Sequence, residues 1–159
     1  MRILVLSDSH ADKSKIRKAV GYMRDSIDMV IHLGDGERDM YFSDNTLEGL
    51  EVIQVRGNCD LSSLFENSRL LEKREKVIFC THGHLQRVKF TDILLKEEAK
   101  KYNADIILYG HTHKPVTKYE DSVYYFNPGS IRDGNFGYID IVNGGIRCVN
   151  LNLNDIEKI

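Results

Sequence analysis

Short runs of consecutive aliphatic residues alternate along the chain with stretches whose apolar positions recur every three or four residues. Ile3-Leu4-Val5-Leu6 is continuous, the pattern of a strand covered on both faces. Over residues 12–25, with Asp12 placed as N-cap, Ile16, Ala19, Val20 and Met23 recur at helical spacing among Lys and Arg, which predicts an amphipathic helix. Met29-Val30-Ile31-His32-Leu33 repeats the strand pattern, residues 39–50 read as helical, and Glu51-Val52-Ile53-Gln54-Val55 is a third strand. Strands joined by such crossovers pair in parallel, and sheets of that kind bind ligands at the carboxyl ends of their strands.

After residues 61–67, which allow one helical turn, the pattern changes. Residues 69–72 and 77–80 flank the charged link Lys73-Arg74-Glu75-Lys76 and predict a hairpin. Residues 92–102 place Ile93, Leu94, Leu95 and Ala99 among Lys and Glu as another amphipathic helix, and Asp105-Ile106-Ile107-Leu108-Tyr109 follows as a strand. The last third is β-rich, at residues 116–119, 123–126, 137–142 and 146–151, with turns at 120–122 and 143–145 and a tight loop at Asn127-Pro128-Gly129-Ser130. A parallel half followed by an antiparallel half, with helices outside, predicts an α/β sandwich of two β-sheets packed face to face. No repeat, low-complexity tract or linker divides the chain, so residues 1–159 are read as a single domain.

Composition adds limits. The 159 residues suffice for a hydrophobic core without a disulfide or structural metal. Lys and Arg number 22 against 24 Asp and Glu, a net charge of -2, so no general basic field draws nucleic acid or anionic membrane. The apolar run at the start is too short for a signal peptide, and no stretch approaches the roughly 20 apolar residues of a membrane span. Cys59, Cys80 and Cys148 are odd in number and widely spaced, which suits a reducing, cytoplasmic setting.

The chemistry lies where the apolar runs end. Asp8-Ser9-His10, Gly34-Asp35, Gly57-Asn58-Cys59-Asp60, Thr81-His82-Gly83-His84 and Gly110-His111-Thr112-His113 each follow a strand-like run. One such Asp or His is more often structural than a ligand, and His32, inside a strand, keeps that reading. Five motifs in order point instead to a shared site. Asp, His and Asn donors suit manganese, iron, nickel or zinc, and an Asn carbonyl argues against an all-thiolate structural site. Asp8, His10, Asp35, Asn58, His82, His111 and His113 exceed what one ion needs, which favours two ions sharing a bridging carboxylate. Such a pair could generate hydroxide from water near neutral pH and stabilise an in-line phosphoryl displacement. No Ser-His-Asp arrangement or glycine-rich phosphate loop competes.

This ordered set resembles the calcineurin-like metallophosphoesterase superfamily. The short chain, Gly-Asn-Cys-Asp and Asn127-Pro128-Gly129-Ser130 are similar to its small YfcE-type phosphodiesterases. The resemblance implies a four-layer αββα sandwich of two mixed sheets with helices on both outer faces. It implies that Asp8, His10 and His113 hold one cation, that Asp35 bridges, and that Asn58, His82 and His111 hold the other, with manganese first among the candidate ions. One departure is Cys59, where many members carry a His credited with binding the phosphate or protonating the leaving group.

Asp35, Asn58, Cys59, Asp60 and His84 are the candidates for catalytic contact, with Asp60 either orienting a neighbour or capping the next segment. Arg56, Arg87 and Arg132 are read as solvated surface before phosphate clamps, and Asn127 and Ser130 as turn residues bordering the pocket. The expected activity is hydrolysis of a small phosphoester, most simply a phosphodiester. Self-association into a homo-oligomer stays open. The competing expectation is a non-catalytic, metal-binding interaction scaffold of the same fold, as in a retromer subunit. A nuclease of this fold is disfavoured by the acidic balance.

Overall fold

The structure, a computed structural model, describes residues 1–156. Strands β1 (Arg2–Leu6), β2 (Met29–His32) and β3 (Glu51–Gln54) pair in parallel as the sequence pattern predicts. The second sheet holds β4 (Ser68–Lys73), β5 (Lys76–Thr81), β6 (Ile106–Leu108), β7 (Val116–Glu120) and β8 (Val123–Asn127), in the order β4-β5-β6-β8-β7. Its centre, β5-β6-β8, is parallel and both its edges are antiparallel. Strands β9 (Asn135–Val142) and β10 (Gly145–Asn152) return to the first sheet beside β1, giving the order β10-β9-β1-β2-β3.

Strand alternation builds the layers. Ile3, Val5, Met29 and Ile31 of the first sheet meet Ile78, Cys80, Ile106, Leu108 and Phe126 of the second in one buried cluster between the sheets. The alternate residues Leu4, Leu6 and Val30 point the other way, onto Ile16, Ala19, Val20 and Met23 of α1 (Lys13–Met23). Phe79, Ile107 and Tyr125 likewise meet Leu95 and Ala99 of α2 (Ile93–Tyr102) on the far side. The middles of the central strands are thus apolar on both sides because both faces are covered, and the result is the αββα sandwich. A short helix, α3 (Leu153–Ile156), adds Leu153 beneath α1.

Asp12 caps α1 by accepting from the Lys15 amide, and α2 closes on Asn103 at φ 48°, a left-handed cap that Asn tolerates. Gly21 sits exposed inside α1, and a Cβ there would meet nothing within 4 Å. Gly21→Ala is therefore expected to stabilise the fold by about 0.5–1 kcal/mol, since it restrains the unfolded chain and clashes with nothing. The urea midpoint reads this out, and an unchanged or lower midpoint would contradict it.

Three expectations need correction. Residues 39–50 do not form a helix; the region contains two 3-10 turns, Glu37–Met40 and Asn45–Leu47. Met40, Phe42, Leu47 and Leu50 all pack beneath α1, but their spacing follows a draped loop. The side chain of Asp44 accepts from the Thr46 amide, so local polar groups compete with helix formation. Residues 61–67 contain only turns and bends, tied back where the Arg56 amide donates to the Glu66 carbonyl at 2.9 Å. Nor is the chain split into a parallel and an antiparallel half: β9 and β10 cross back to make the first sheet mixed, and the second has a parallel centre between antiparallel edges.

Candidate metal centre

The loops after β1, β2, β3, β5 and β6 gather at one edge of the sandwich and are stitched together by backbone hydrogen bonds. The amide of Asp8 donates to the Gly34 carbonyl, that of His10 to the Asp35 carbonyl, and that of Gly110 to the His82 carbonyl, at 3.0, 3.1 and 3.0 Å. Asp8, His10, Asp35, His111 and His113 all adopt left-handed backbone, with φ of 56°, 43°, 58°, 67° and 60°. Such conformations cost a non-glycine residue on the order of 1 kcal/mol or more, and they concentrate where surroundings impose a functional geometry.

The side chains converge in overlapping groups. Donor atoms of Asp8, His10 and His113 lie within 4.8 Å of one another, as do those of Asp35, His82 and His111, and those of His10, Asp35 and Cys59. Asp35 is the carboxylate common to two of these groups. Asn58 joins through Oδ1, 3.1 Å from His82 Nε2. All seven sequence-predicted ligands are thus together.

Hydrogen bonding engages one side of the cluster. One oxygen of Asp8, Oδ2, accepts from Ser7 Oγ at 2.6 Å and from the His111 amide at 3.0 Å. The other, Oδ1, is fully buried and has no hydrogen-bond partner. It lies 3.1 Å from His113 Nε2, 3.8 Å from His10 Nε2 and 3.9 Å from His82 Nε2. His82 Nδ1 is 2.7 Å from the Leu33 carbonyl, which only accepts, so Nδ1 must carry a hydrogen. The neutral imidazole therefore presents a lone pair at Nε2 toward Asp8 Oδ1, Asp35 Oδ2, Asn58 Oδ1 and His111 Nδ1. Oxygen and nitrogen atoms with lone pairs face one another here, an arrangement that a cation among them would satisfy. Divalent cations fit this donor set.

The electrostatics agree. Burial pulls the His82 imidazole down, but the contact with Asp35 and the charge of Asp8 outweigh it and raise its pKa. Burial works against ionisation of Asp35, yet contact with His82 and the Cys59 amide hold it well below the usual carboxylate range. Burial, with the charges of His82 and Lys89, brings His111 down to about 4, leaving it neutral with a free lone pair.

His32 has the structural role read from its place inside a strand. It is fully buried; its Nδ1 accepts from the Gly34 amide at 3.3 Å, and Nε2 lies 3.2 Å from Ser9 Oγ. That hydroxyl already donates to Asp39 Oδ2 at 2.6 Å, so His32 Nε2 must donate to it. The neutral tautomer is complete and burial lowers the pKa to about 4. Since the unfolded chain binds the proton more tightly, stability is expected to fall by on the order of 3 kcal/mol as pH drops from about 6.5 to about 4. Urea unfolding of chelated protein across that window checks this. His32→Gln should flatten the dependence by about one proton, and identical slopes would contradict it.

Asp60 serves the backbone. It accepts from the amides of Asp35, Gly36, Glu37 and Gly57 at 2.7–3.0 Å, locking the loops after β2 and β3 together. Cys59 is exposed beside Asp35, and the His84 ring packs 5.4 Å from His82 with a buried, unpartnered Nδ1. Asn127 and Ser130 brace ligand loops: Asn127 Nδ2 donates to the Gly110 carbonyl and Ser130 Oγ to the Asp8 carbonyl, both at 2.9 Å.

A cleft of about 510 Å³ opens beside His10 and Asp35, bounded by Arg38, Cys59, Leu61 and Ser62. Arg56, Arg87 and Arg132 do not line it. Arg38, absent from the sequence-based candidates, does; as one of many charged residues on the surface it carried no distinguishing signal. Ser7 and Ser9, the buried hydroxyls that donate to Asp8 and Asp39, were also missed, because a serine carries no sign of its partner in the sequence.

Residues 1–141 match the calcineurin-like phosphoesterase superfamily domain. YsnB of Bacillus subtilis, a probable metallophosphoesterase, is 33% identical over 132 residues, covering 83% of this chain and 76% of its own. The phosphodiesterase MJ0936 of Methanocaldococcus jannaschii is 30% identical over 144 residues, covering 81% and 83%. Among solved structures, a predicted phosphoesterase from Streptococcus pneumoniae aligns with a TM-score of 0.80 at 28% identity, over 95% of this chain and 88% of its own. Vps29 of Entamoeba histolytica aligns with a TM-score of 0.72 over 97% and 100%; at 24% identity that likeness is one of fold alone.

Proposed function

Because this chain belongs to the calcineurin-like phosphoesterase superfamily, we propose that it is a metal-dependent hydrolase of small phosphoesters, acting foremost on phosphodiesters. The observation that carries the proposal is the buried, unpartnered Asp8 Oδ1 among three imidazoles, an arrangement that makes chemical sense around cations. Asp8, His10 and His113 would hold one ion, Asn58, His82 and His111 a second, and Asp35 both. Manganese is the proposed ion, with nickel, iron and zinc as the others the donors admit. When bound, such a pair supplies Lewis acidity toward water and the phosphoryl oxygens.

The remaining residues position and exclude. Asp60 and the glycines at 34 and 57 hold the Asp35 loop; the cleft beside Asp35 receives an ester arm, with Arg38 at its border. The net charge of -2 and the absence of a long apolar helix among the described residues favour a small-molecule substrate over nucleic acid or membrane. Three free cysteines support a reducing, cytoplasmic setting. The core shared by both sheets supports treating the chain as one domain.

The proton supply to the leaving group is weak. Burial, then Asp35, pushes the Cys59 thiol up, so it stays neutral and gives up its proton reluctantly. Asp60 is held as a carboxylate by four amides. Rates are therefore expected to fall steeply as the leaving group becomes more basic. Cys59→His should recover about 10²-fold on poor leaving groups, the lower end of general-acid contributions. Equal rates across nitrophenyl and unsubstituted phenyl esters in the parent protein would contradict this.

The test of the function is direct. Purified protein with manganese should hydrolyse bis(4-nitrophenyl) phosphate faster than 4-nitrophenyl phosphate and lose both activities with chelator. Bound metal with hydrolysis of neither ester would overturn the proposal and leave a metal-binding scaffold of the same fold.

A further inference from the structure

The cleft of about 510 Å³ beside His10 and Asp35 has walls of two kinds, one carrying a free cation and one an open apolar side chain. We infer that it takes an ester arm with a short carbon stem ending in an anionic group, a carboxylate or a phosphate, and that Arg38 selects that group. The inference rests on the hydrolytic reading and adds to it the class of diester.

Arg38 is presented by a turn that is fixed on both sides. Before it, the Gly36 and Glu37 amides donate to Asp60 Oδ1 at 2.9 and 3.0 Å, and a Cβ on Gly36 would stand only 1.7 Å from Ser9 Oγ. After it, Asp39 and Met40 are buried, and Asp39 Oδ2 accepts from Ser9 Oγ and from the Ala11 amide at 2.6 and 2.8 Å. Between these anchors the Arg38 side chain is exposed, and among the described residues its guanidinium has no hydrogen-bond, ion-pair or ring partner.

The carboxylates of the cleft do not occupy it. Asp39 is engaged as above, Asp60 accepts from four amides, and Asp35 belongs to the centre. Glu37 precedes Arg38 on a 3-10 turn, where successive side chains diverge by about 120°. A guanidinium in that position offers paired N–H donors to a carboxylate or a phosphate. The loop after β3 supplies the other wall through Leu61, 77% exposed, and Ser62, whose backbone is left-handed at φ 63°. A leucine so open gains by covering methylenes. Arg38 and Asp35 line one cavity, so an arm on a phosphorus held at Asp35 has a continuous path to the guanidinium.

Mixed diesters of 4-nitrophenol test this with manganese-loaded protein. The second arm is pentyl, 4-carboxybutyl, 4-phosphonobutyl or 4-aminobutyl, and nitrophenolate release gives kcat/KM for each. An anionic arm should raise kcat/KM about tenfold over pentyl, the lower end of what hydrogen bonds to charged groups contribute. Arg38→Ala should bring that ratio to about one, and a ratio between arms does not depend on how much of the variant is folded or loaded. A larger gain for phosphonobutyl identifies the group as a phosphate, and a larger gain for carboxybutyl as a carboxylate; either supports the inference. Equal rates on pentyl and anionic arms, a preference that survives Arg38→Ala, or a preference for the aminobutyl arm overturns it and leaves the hydrolase reading standing. Hydrolysis of none of the diesters by metal-bound protein would overturn both.

Discussion

Asp35→Asn is expected to lower turnover of an aryl phosphodiester on the order of 10³-fold, a loss of roughly 4 kcal/mol of transition-state stabilisation. The substitution conserves shape, so its effect isolates charge. Asp35 is the carboxylate whose donor atoms group with His10 and Cys59 on one side and with His82 and His111 on the other. Its Oδ1 accepts from the Cys59 amide at 2.7 Å, and an amide oxygen in the same place would keep that bond. Its Oδ2, 3.4 Å from His82 Nε2 and 3.9 Å from His10 Nε2, is the atom that would meet a cation. An amide nitrogen there offers hydrogens where a lone pair is required. Bound metal by elemental analysis should drop together with the initial rate. A variant within tenfold of wild-type turnover would remove Asp35 from the centre.

The parts of this molecule that were legible in the sequence are those where two independent signals coincide. Ile3-Leu4-Val5-Leu6 is apolar without a break, and Met29-Val30-Ile31-His32-Leu33 is interrupted only by His32, because both sheet faces are covered, and each run is followed at once by donors. Strand end and chemistry therefore mark each other. Residues 39–50 had one signal, apolar content, and Met40, Phe42, Leu47 and Leu50 satisfy their burial from a loop as well as they would from a helix. The hairpin of β9 and β10 was visible by alternation, but alternation is silent about which sheet a strand joins; that follows from Ile139 and Ile141 packing between the sheets beside β1. The supports of the site were hidden for a related reason. Ser9 and Asp39 meet across 30 residues of chain, and Ser7, which donates to the adjacent Asp8, is a residue type too common beside Asp to announce that contact.

Gly57→Ala is expected to cost about 10²-fold in turnover although it removes no donor. A Cβ at position 57 would stand 2.1 Å from Asp35 Oδ1 and 2.3 Å from the Asp35 amide nitrogen. The nitrogen belongs to the backbone and cannot swing aside. From the other loop, a Cβ on Gly34, at φ 99°, would stand 2.6 Å from the Gly57 nitrogen. The two glycines let the segments after β2 and β3 cross in contact, and Asp60 fastens them by accepting from the amides of Asp35 and Gly57 at 2.7 and 2.8 Å. Relieving the clash must move Asp35 relative to His82 by on the order of 1 Å, a displacement sufficient for a loss of that size. The overpacking should also lower stability by about 1–3 kcal/mol. Gly49→Ala separates the two effects: at φ 73° it carries backbone strain, yet a Cβ there meets nothing within 4 Å. It should lower the urea midpoint and leave turnover per folded molecule unchanged. Equal turnover losses in the two variants would show that Gly57 matters through stability alone, and the close crossing of the loops would then have no part in placing Asp35.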